Sequence, residues 1–143
     1  MKKVKDIIKY YLNSSAFCKL KGSTQKDYEN HLKEVQSTKI GNKYLSNFTI
    51  EDLTVRACQD AYDQWLRVGV RTANYRKAAL SVAWKHSMRF DVMKYDPIKL
   101  IDTTSSDVRR VRWTEKQVKT FLNVAYSDFK YRSIGLIVHM AYD

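Results

Sequence analysis

The chain has 143 residues and carries 26 Lys and Arg against 15 Asp and Glu, for a formal net charge of +11. That length suits one ordinary domain, or a small domain plus a fragment, and a globular composition excludes a disordered chain. Two cysteines, Cys18 and Cys58, exclude a disulfide scaffold and point to a reducing compartment. The apolar run Ile7–Leu12 is interrupted by Lys9 and is too short for a signal peptide, and no stretch approaches the ~20 apolar residues of a membrane span. The expected location is therefore cytoplasmic. A cationic surplus of this size repels itself on the surface and becomes favourable when a polyanion displaces small counterions. Nucleic acid is the first candidate and an anionic membrane the second; a protein that is merely basic is the plain alternative.

Helical periodicity dominates. Val4, Ile7, Ile8, Tyr11 and Leu12 share one face of a first helix, with Lys2, Lys3, Lys5 and Lys9 mostly on the other. A second helix is predicted from Ser23–Thr24, either hydroxyl serving as N-cap, with Tyr28, Leu32 and Val35 as its stripe. The pattern lapses between Thr38 and Asp52, where Gly41–Asn42 marks a turn. A third helix follows Thr54, with Ala57, Cys58, Ala61, Tyr62, Trp65 and Leu66 facing inward and Gly69 ending it. A fourth runs from Arg71–Thr72 to about Phe90, with Ala73, Leu80, Ala83, Trp84 and Ser87 facing inward. Asp96–Pro97 closes this unit, because the proline ring disfavours helix at the residue before it.

Asp102 to Arg112 is polar and aperiodic and is expected to be a basic linker, dividing a domain of residues 1–100 from a segment of residues 113–143. Helix signals then resume. Thr114 and Gln117 have capping-box spacing, Trp113 and Val118 stand where a hydrophobic staple would, and Val118, Phe121, Leu122 and Ala125 form the stripe. Ile134–Ala141 is apolar nearly all round, as in a helix inside a larger domain, so residues 113–143 are expected to be a truncated part of one.

The charge is segregated. From Gln64 to Phe90 there are Arg67, Arg71, Arg76, Lys77, Lys85 and Arg89, and no acid. On the fourth helix Arg71, Asn74, Tyr75, Ala78, Val82 and Lys85 fall roughly on one face. Small residues there allow close approach to a groove; Asn can pair with an adenine edge and Arg with guanine or phosphate. A second patch, Arg109, Arg110 and Arg112, lies on the linker, where a basic strand can track a phosphate backbone. A third, Lys19, Lys21 and Lys26, surrounds the start of the second helix, whose free N–H groups suit a phosphate. Each patch has an ordinary alternative as a solvated face. No catalytic constellation is present: His31, His86 and His139 lack ligand-spaced partners, only four glycines occur, and none of the ten tyrosines is singled out as a nucleophile. No metal and no cofactor is expected.

The order of these elements resembles the phage-integrase family of tyrosine recombinases across nearly the whole chain. Residues 2 to about 98 are similar to the core-binding domain, an all-α, SAM-like four-helix unit. The likeness rests on Ser23–Thr24 followed by Tyr28 and Leu32, on Leu53–Thr54, on Gly69-x-x-Thr72-x-Asn74 with Leu80–Ser81 beyond it, and on Asp96–Pro97. Trp113–Gln117 and Ile134–Tyr142 resemble the opening of the catalytic domain. Asp96 stands where the family usually has Asn, and Tyr75 where a basic residue is common. The resemblance implies a parent enzyme that cuts and rejoins duplex DNA through a tyrosyl-phosphate, without metal or nucleotide, encoded by a phage or mobile element in a bacterial host. None of its catalytic residues is carried over, so this chain alone is expected to be inactive. It further implies that the second and fourth helices approach the major groove, with Ser23, Thr24, Lys26, Arg71, Thr72, Asn74 and Lys77 as the carried positions, and that other recombinase protomers join on the DNA. Two other readings stay open: a stand-alone DNA-binding regulator, and a helical module that binds a protein partner through its aromatic faces.

Overall fold

The apolar stripes fold as helices, and the structure, a computed structural model, describes residues 2–106 and 112–142 of the chain. It divides into two units, Met1–Ser106 and Asp107–Asp143.

In the first unit α1 (Val4–Leu12) buries Val4, Ile7, Ile8 and Tyr11, the stripe read from the sequence. The backbone around it is tied down, because Val4 N–H donates to the Phe48 carbonyl (3.0 Å) and Ile50 N–H to the Lys2 carbonyl (3.1 Å). A short helix without a sequence signal follows. This α2 (Ser15–Cys18) is capped by Ser14 Oγ, which accepts from Phe17 N–H (3.2 Å), and it seats the buried Phe17 ring 5.5 Å from Tyr11.

Next comes α3 (Gly22–Ser37), which buries Leu32 and Val35. Its start corrects the sequence reading: Lys21 holds the cap position, no side chain caps the end, and Ser23 and Thr24 lie inside the first turn. The corner is braced instead by Gln25 Nε2, which donates to the carbonyls of Cys18 (3.1 Å) and Leu20 (2.9 Å). The expected turn at Gly41–Asn42 joins two short antiparallel strands, β1 (Lys39–Ile40) and β2 (Lys43–Tyr44), in the register Ile40 opposite Lys43. Gly41 adopts φ +59°, which costs a glycine nothing sterically.

The third predicted helix is α4 (Val55–Leu66), capped as expected by Thr54 Oγ1 accepting from Ala57 N–H (3.2 Å). Its buried Trp65 donates from Nε1 to Thr38 Oγ1 (2.8 Å), which pins α4 to the end of α3. The fourth, α5 (Val70–Arg89), is the longest, and by its rise of about 1.5 Å per residue it runs roughly 30 Å. It begins one residue before the predicted start, with Gly69 as cap at φ +155°, so Gly69 opens α5 as well as following α4. Ala73, Ala79, Leu80, Ala83, Trp84 and Ser87 face the core.

Past α5 the chain folds back. Trp84 Nε1 donates to the Tyr95 carbonyl (2.9 Å), and Asp96 Oδ1 accepts from Ile98 N–H (3.0 Å) and Lys99 N–H (3.2 Å), which starts the 3-10 turn Pro97–Leu100. The core is thus one cluster drawn from α1 to α5 and closed by Ile98 and Ile101.

The second unit is a helix pair. Its α6 (Glu115–Ser127) opens on the predicted capping box: Thr114 Oγ1 accepts from Gln117 N–H (3.3 Å) and Gln117 Oε1 from Thr114 N–H (2.8 Å). Trp113 sets its ring edge against Phe121, with centroids 5.1 Å apart. A Phe129–Tyr131 turn leads to α7 (Arg132–Tyr142). The two helices touch at Gly135, where a Cβ would come within 2.9 Å of Ala125 Cβ. Ile137 and Met140 of α7 stay 67% and 74% exposed, the apolar excess already visible in the sequence. Among the described residues, no helix is long and apolar enough to cross a membrane.

Candidate nucleic-acid interface

The core turns one side of α5 to solvent, and the acid-free basic segment lies there. Arg71, Tyr75, Ala78, Lys85 and Arg89 are exposed, and Asn74, Lys77, Ser81 and Val82 are half-buried. Spacings of three, four and seven residues put these side chains on one face. Among the described residues Arg71, Lys77, Lys85 and Arg89 have no carboxylate within ion-pair distance. Arg76 differs. It turns toward α3, its Nη2 lies 3.3 Å from Glu34 Oε2, and it braces the two helices rather than facing solvent.

Arg71 and Tyr75 act as a pair one turn apart. The guanidinium lies 5.4 Å above the Tyr75 ring and donates to its hydroxyl from Nε (3.3 Å) and Nη2 (3.1 Å). Tyr75 also stacks on His31 of α3, with centroids 5.6 Å apart and an interplanar angle of 21°. Through Tyr75, Arg71 and His31 are linked across α5 and α3. Such stacking fixes the position of a guanidinium that would otherwise be free to wander.

The structure brings together only some of the predicted residues. Thr24 is seven residues before His31 and shares its stripe on α3. Lys26 is five residues before His31, roughly 140° around the helix, so it faces away from the α5 contact. Lys21 and Ser23 are exposed at the α3 start. Thr72 is half-buried in the first turn of α5 and does not cap it, that position being Gly69. Asn74 is engaged at both ends of its amide: Oδ1 accepts from the Tyr62 hydroxyl (2.7 Å) and Nδ2 donates to the Thr104 carbonyl (3.0 Å). These two bonds tie it to protein groups and leave one N–H and one lone pair of the amide without a described protein partner. On the expected linker, Arg112 is exposed, while Arg109 and Arg110 lie outside the described residues.

Sequence reasoning missed His31, which carried no ligand-type spacing, and the docking of residues 102–105 beside α5.

Among the described residues no group of three or more His, Cys, Asp or Glu could hold a metal ion. Burial, and to a smaller extent the Asp96 charge, pushes the Cys58 thiol up to about 12, so it stays protonated and unreactive. His86 sits among Tyr10, Tyr11 and Phe90, with ring centroids 5.0–5.5 Å away, and burial and then Arg89 hold its pKa below the usual imidazole value. That cluster packs α1 on α5. In the second unit Trp113, Lys116, Gln117, Thr120 and Phe121 line an open, largely apolar recess of ≈ 440 Å³.

The chain matches no protein-family model, no curated protein and no solved structure.

Proposed function

We propose that the Met1–Ser106 unit binds duplex DNA as a core-binding-type module, with α1, α3, α4 and α5 as a SAM-like four-helix unit of the tyrosine-recombinase kind. In this reading the chain positions DNA for a breaking-and-rejoining enzyme and contributes binding, not cleavage. The observation that carries it is the solvent face of α5, where Arg71, Lys77, Lys85 and Arg89 have no carboxylate partner among the described residues, in a segment without acid. A cationic helix face of this kind gains free energy by releasing the counterions condensed on DNA. The Arg71–Tyr75–His31 contacts add a restrained guanidinium at the N-terminal end of that face.

The test is fluorescence anisotropy with a short duplex over a series of salt concentrations. If the four α5 cations each meet a phosphate, log K falls with log salt at a slope of about −3 to −4, or ~100-fold weaker binding between 50 and 200 mM salt. Arg71→Glu weakens binding about tenfold with unchanged circular dichroism, being exposed and outside the core. No binding at low salt, or a flat salt response, overturns the reading.

A second reading applies to the Asp107–Asp143 unit, whose exposed Ile134, Leu136, Ile137 and Met140 favour a protein contact. It predicts concentration-dependent association of the chain, unaffected by added DNA, in sedimentation experiments.

A further inference from the structure

The chain beyond the Pro97–Leu100 turn lies along the core instead of leaving it. Asp102 N–H donates to Gln59 Oε1 (2.8 Å), and its carbonyl accepts from Gln59 Nε2 (3.3 Å). Two residues later a closed ring forms. Thr104 N–H donates to the Tyr62 hydroxyl (3.0 Å), the hydroxyl donates to Asn74 Oδ1 (2.7 Å), and Asn74 Nδ2 donates back to the Thr104 carbonyl (3.0 Å). Two side-chain amides and a phenol thus satisfy peptide groups much as a neighbouring strand would.

This clasp builds a groove. Thr103, Thr104 and Ser105 form one wall of an open cleft of ≈ 570 Å³, and Lys77, Ser81 and Lys85 stand on the other. The three α5 residues recur every fourth position, so they form one row, with the lysines about 12 Å apart along the helix axis. Among the described residues the lining contains no carboxylate. Lys77 is half-buried and also lines a small cavity with Leu80 and Ile98. Hydroxyls of Ser81, Thr103 and Ser105 offer neutral donors between the two charges. Cations carried on backbone positions that far apart suit anionic groups spaced along a chain.

We propose that the groove between α5 and residues 103–105 seats a length of phosphodiester backbone from one DNA strand. Lys77 and Lys85 neutralise separate phosphates, the hydroxyl wall donates between them, and Asn74 is a positioning residue that holds the wall. The proposal rests on the duplex-binding reading above and adds to it the strand segment that completes the site.

The experiment uses the full chain and a short duplex in a salt series. The Lys77→Gln/Lys85→Gln double variant is expected to reduce the slope of log K against log salt by about 1.8, the share of two phosphate contacts. Asn74→Ala is expected to weaken binding in the unaltered protein and to have little further effect in the double-lysine variant, because its role passes through the groove. Equal weakening by Asn74→Ala in both backgrounds would mean a general structural role and would overturn its assignment. If the unaltered protein shows salt-dependent binding while the double variant keeps the full slope, the groove proposal fails and duplex binding stands. If the unaltered protein does not bind duplex, both fail. Inorganic phosphate that displaces the duplex more than chloride does at matched ionic strength would make the groove a single-oxyanion site and overturn the backbone assignment.

Discussion

Removal of one oxygen atom tests the clasp directly. Tyr62 is fully buried, and its hydroxyl is the only member of the ring that is a lone side-chain atom, accepting from Thr104 N–H (3.0 Å) and donating to Asn74 Oδ1 (2.7 Å). Tyr62→Phe keeps the aromatic ring and its packing between α4 and α5 while losing both hydrogen bonds. A net hydrogen bond contributes about 0.5–1.5 kcal/mol, so two contribute about 1–3 kcal/mol. Both partner groups are only part-buried, and water can reach them once the segment lifts. That places the cost in the lower half, about 1–2 kcal/mol, and for a unit of this size a melting temperature lower by roughly 5–10 °C. The sharper readout is hydrogen exchange at the Thr104 amide, whose only described acceptor is the Tyr62 oxygen. Its protection is expected to fall toward that of an open chain while amides within α4 and α5 keep theirs, since opening is local to the segment. A Thr104 amide protected as in the unaltered protein, or a stability change under about 0.3 kcal/mol, would refute the clasp as the device that holds residues 102–105.

Three further outcomes are expected. Thr38→Val leaves the buried Trp65 Nε1–H without its 2.8 Å acceptor at nearly constant volume, and should cost about 1–3 kcal/mol in chemical denaturation. Gly135→Ala would ordinarily favour a helix by about 1 kcal/mol, but the new Cβ meets Ala125 Cβ at 2.9 Å; α6 and α7 must separate, and the second unit should lose about 1–3 kcal/mol, read as lost helical signal on heating. The Cys58 thiol is raised in the fold from 9.0 to about 12. Folding therefore holds that proton more tightly, so the associated stability is fully present below pH 9 and is lost as the pH rises toward about 12. At pH 8 an alkylating reagent should label the exposed Cys18 and spare Cys58 until the protein unfolds, and mass spectrometry of the two peptides checks this.

Local signals carried far in this chain. The four long helices of the first unit were legible because each repeats apolar residues at three- and four-residue steps, and residues such as Tyr62, Trp65, Leu80 and Trp84 sit where those stripes place them. Thr54 and the Thr114–Gln117 box act within one turn of their helices, so spacing alone identified them. The α3 start was misread because Ser23 and Thr24 have the chemistry of a cap, yet the Gln25 brace to Cys18 and Leu20 sets where the helix begins. The α2 helix was missed because four residues are too few to show a period.

Composition and order determined that this is a basic, helical protein and that α5 carries cations without acids in its own segment, since charge and periodicity are properties of consecutive residues. Which of those cations stay available was decided by tertiary contacts: Glu34, forty-two positions away in sequence, occupies Arg76, while Arg71 lies over a tyrosine that also stacks on His31 of α3. The same holds for Asn74. Its type and place in the sequence suited a base-reading residue, but both ends of its amide are taken up by Tyr62 and Thr104. A side chain's hydrogen-bonding capacity is written in its identity, whereas whether that capacity remains unspent depends on groups that only the folded chain brings within 3 Å.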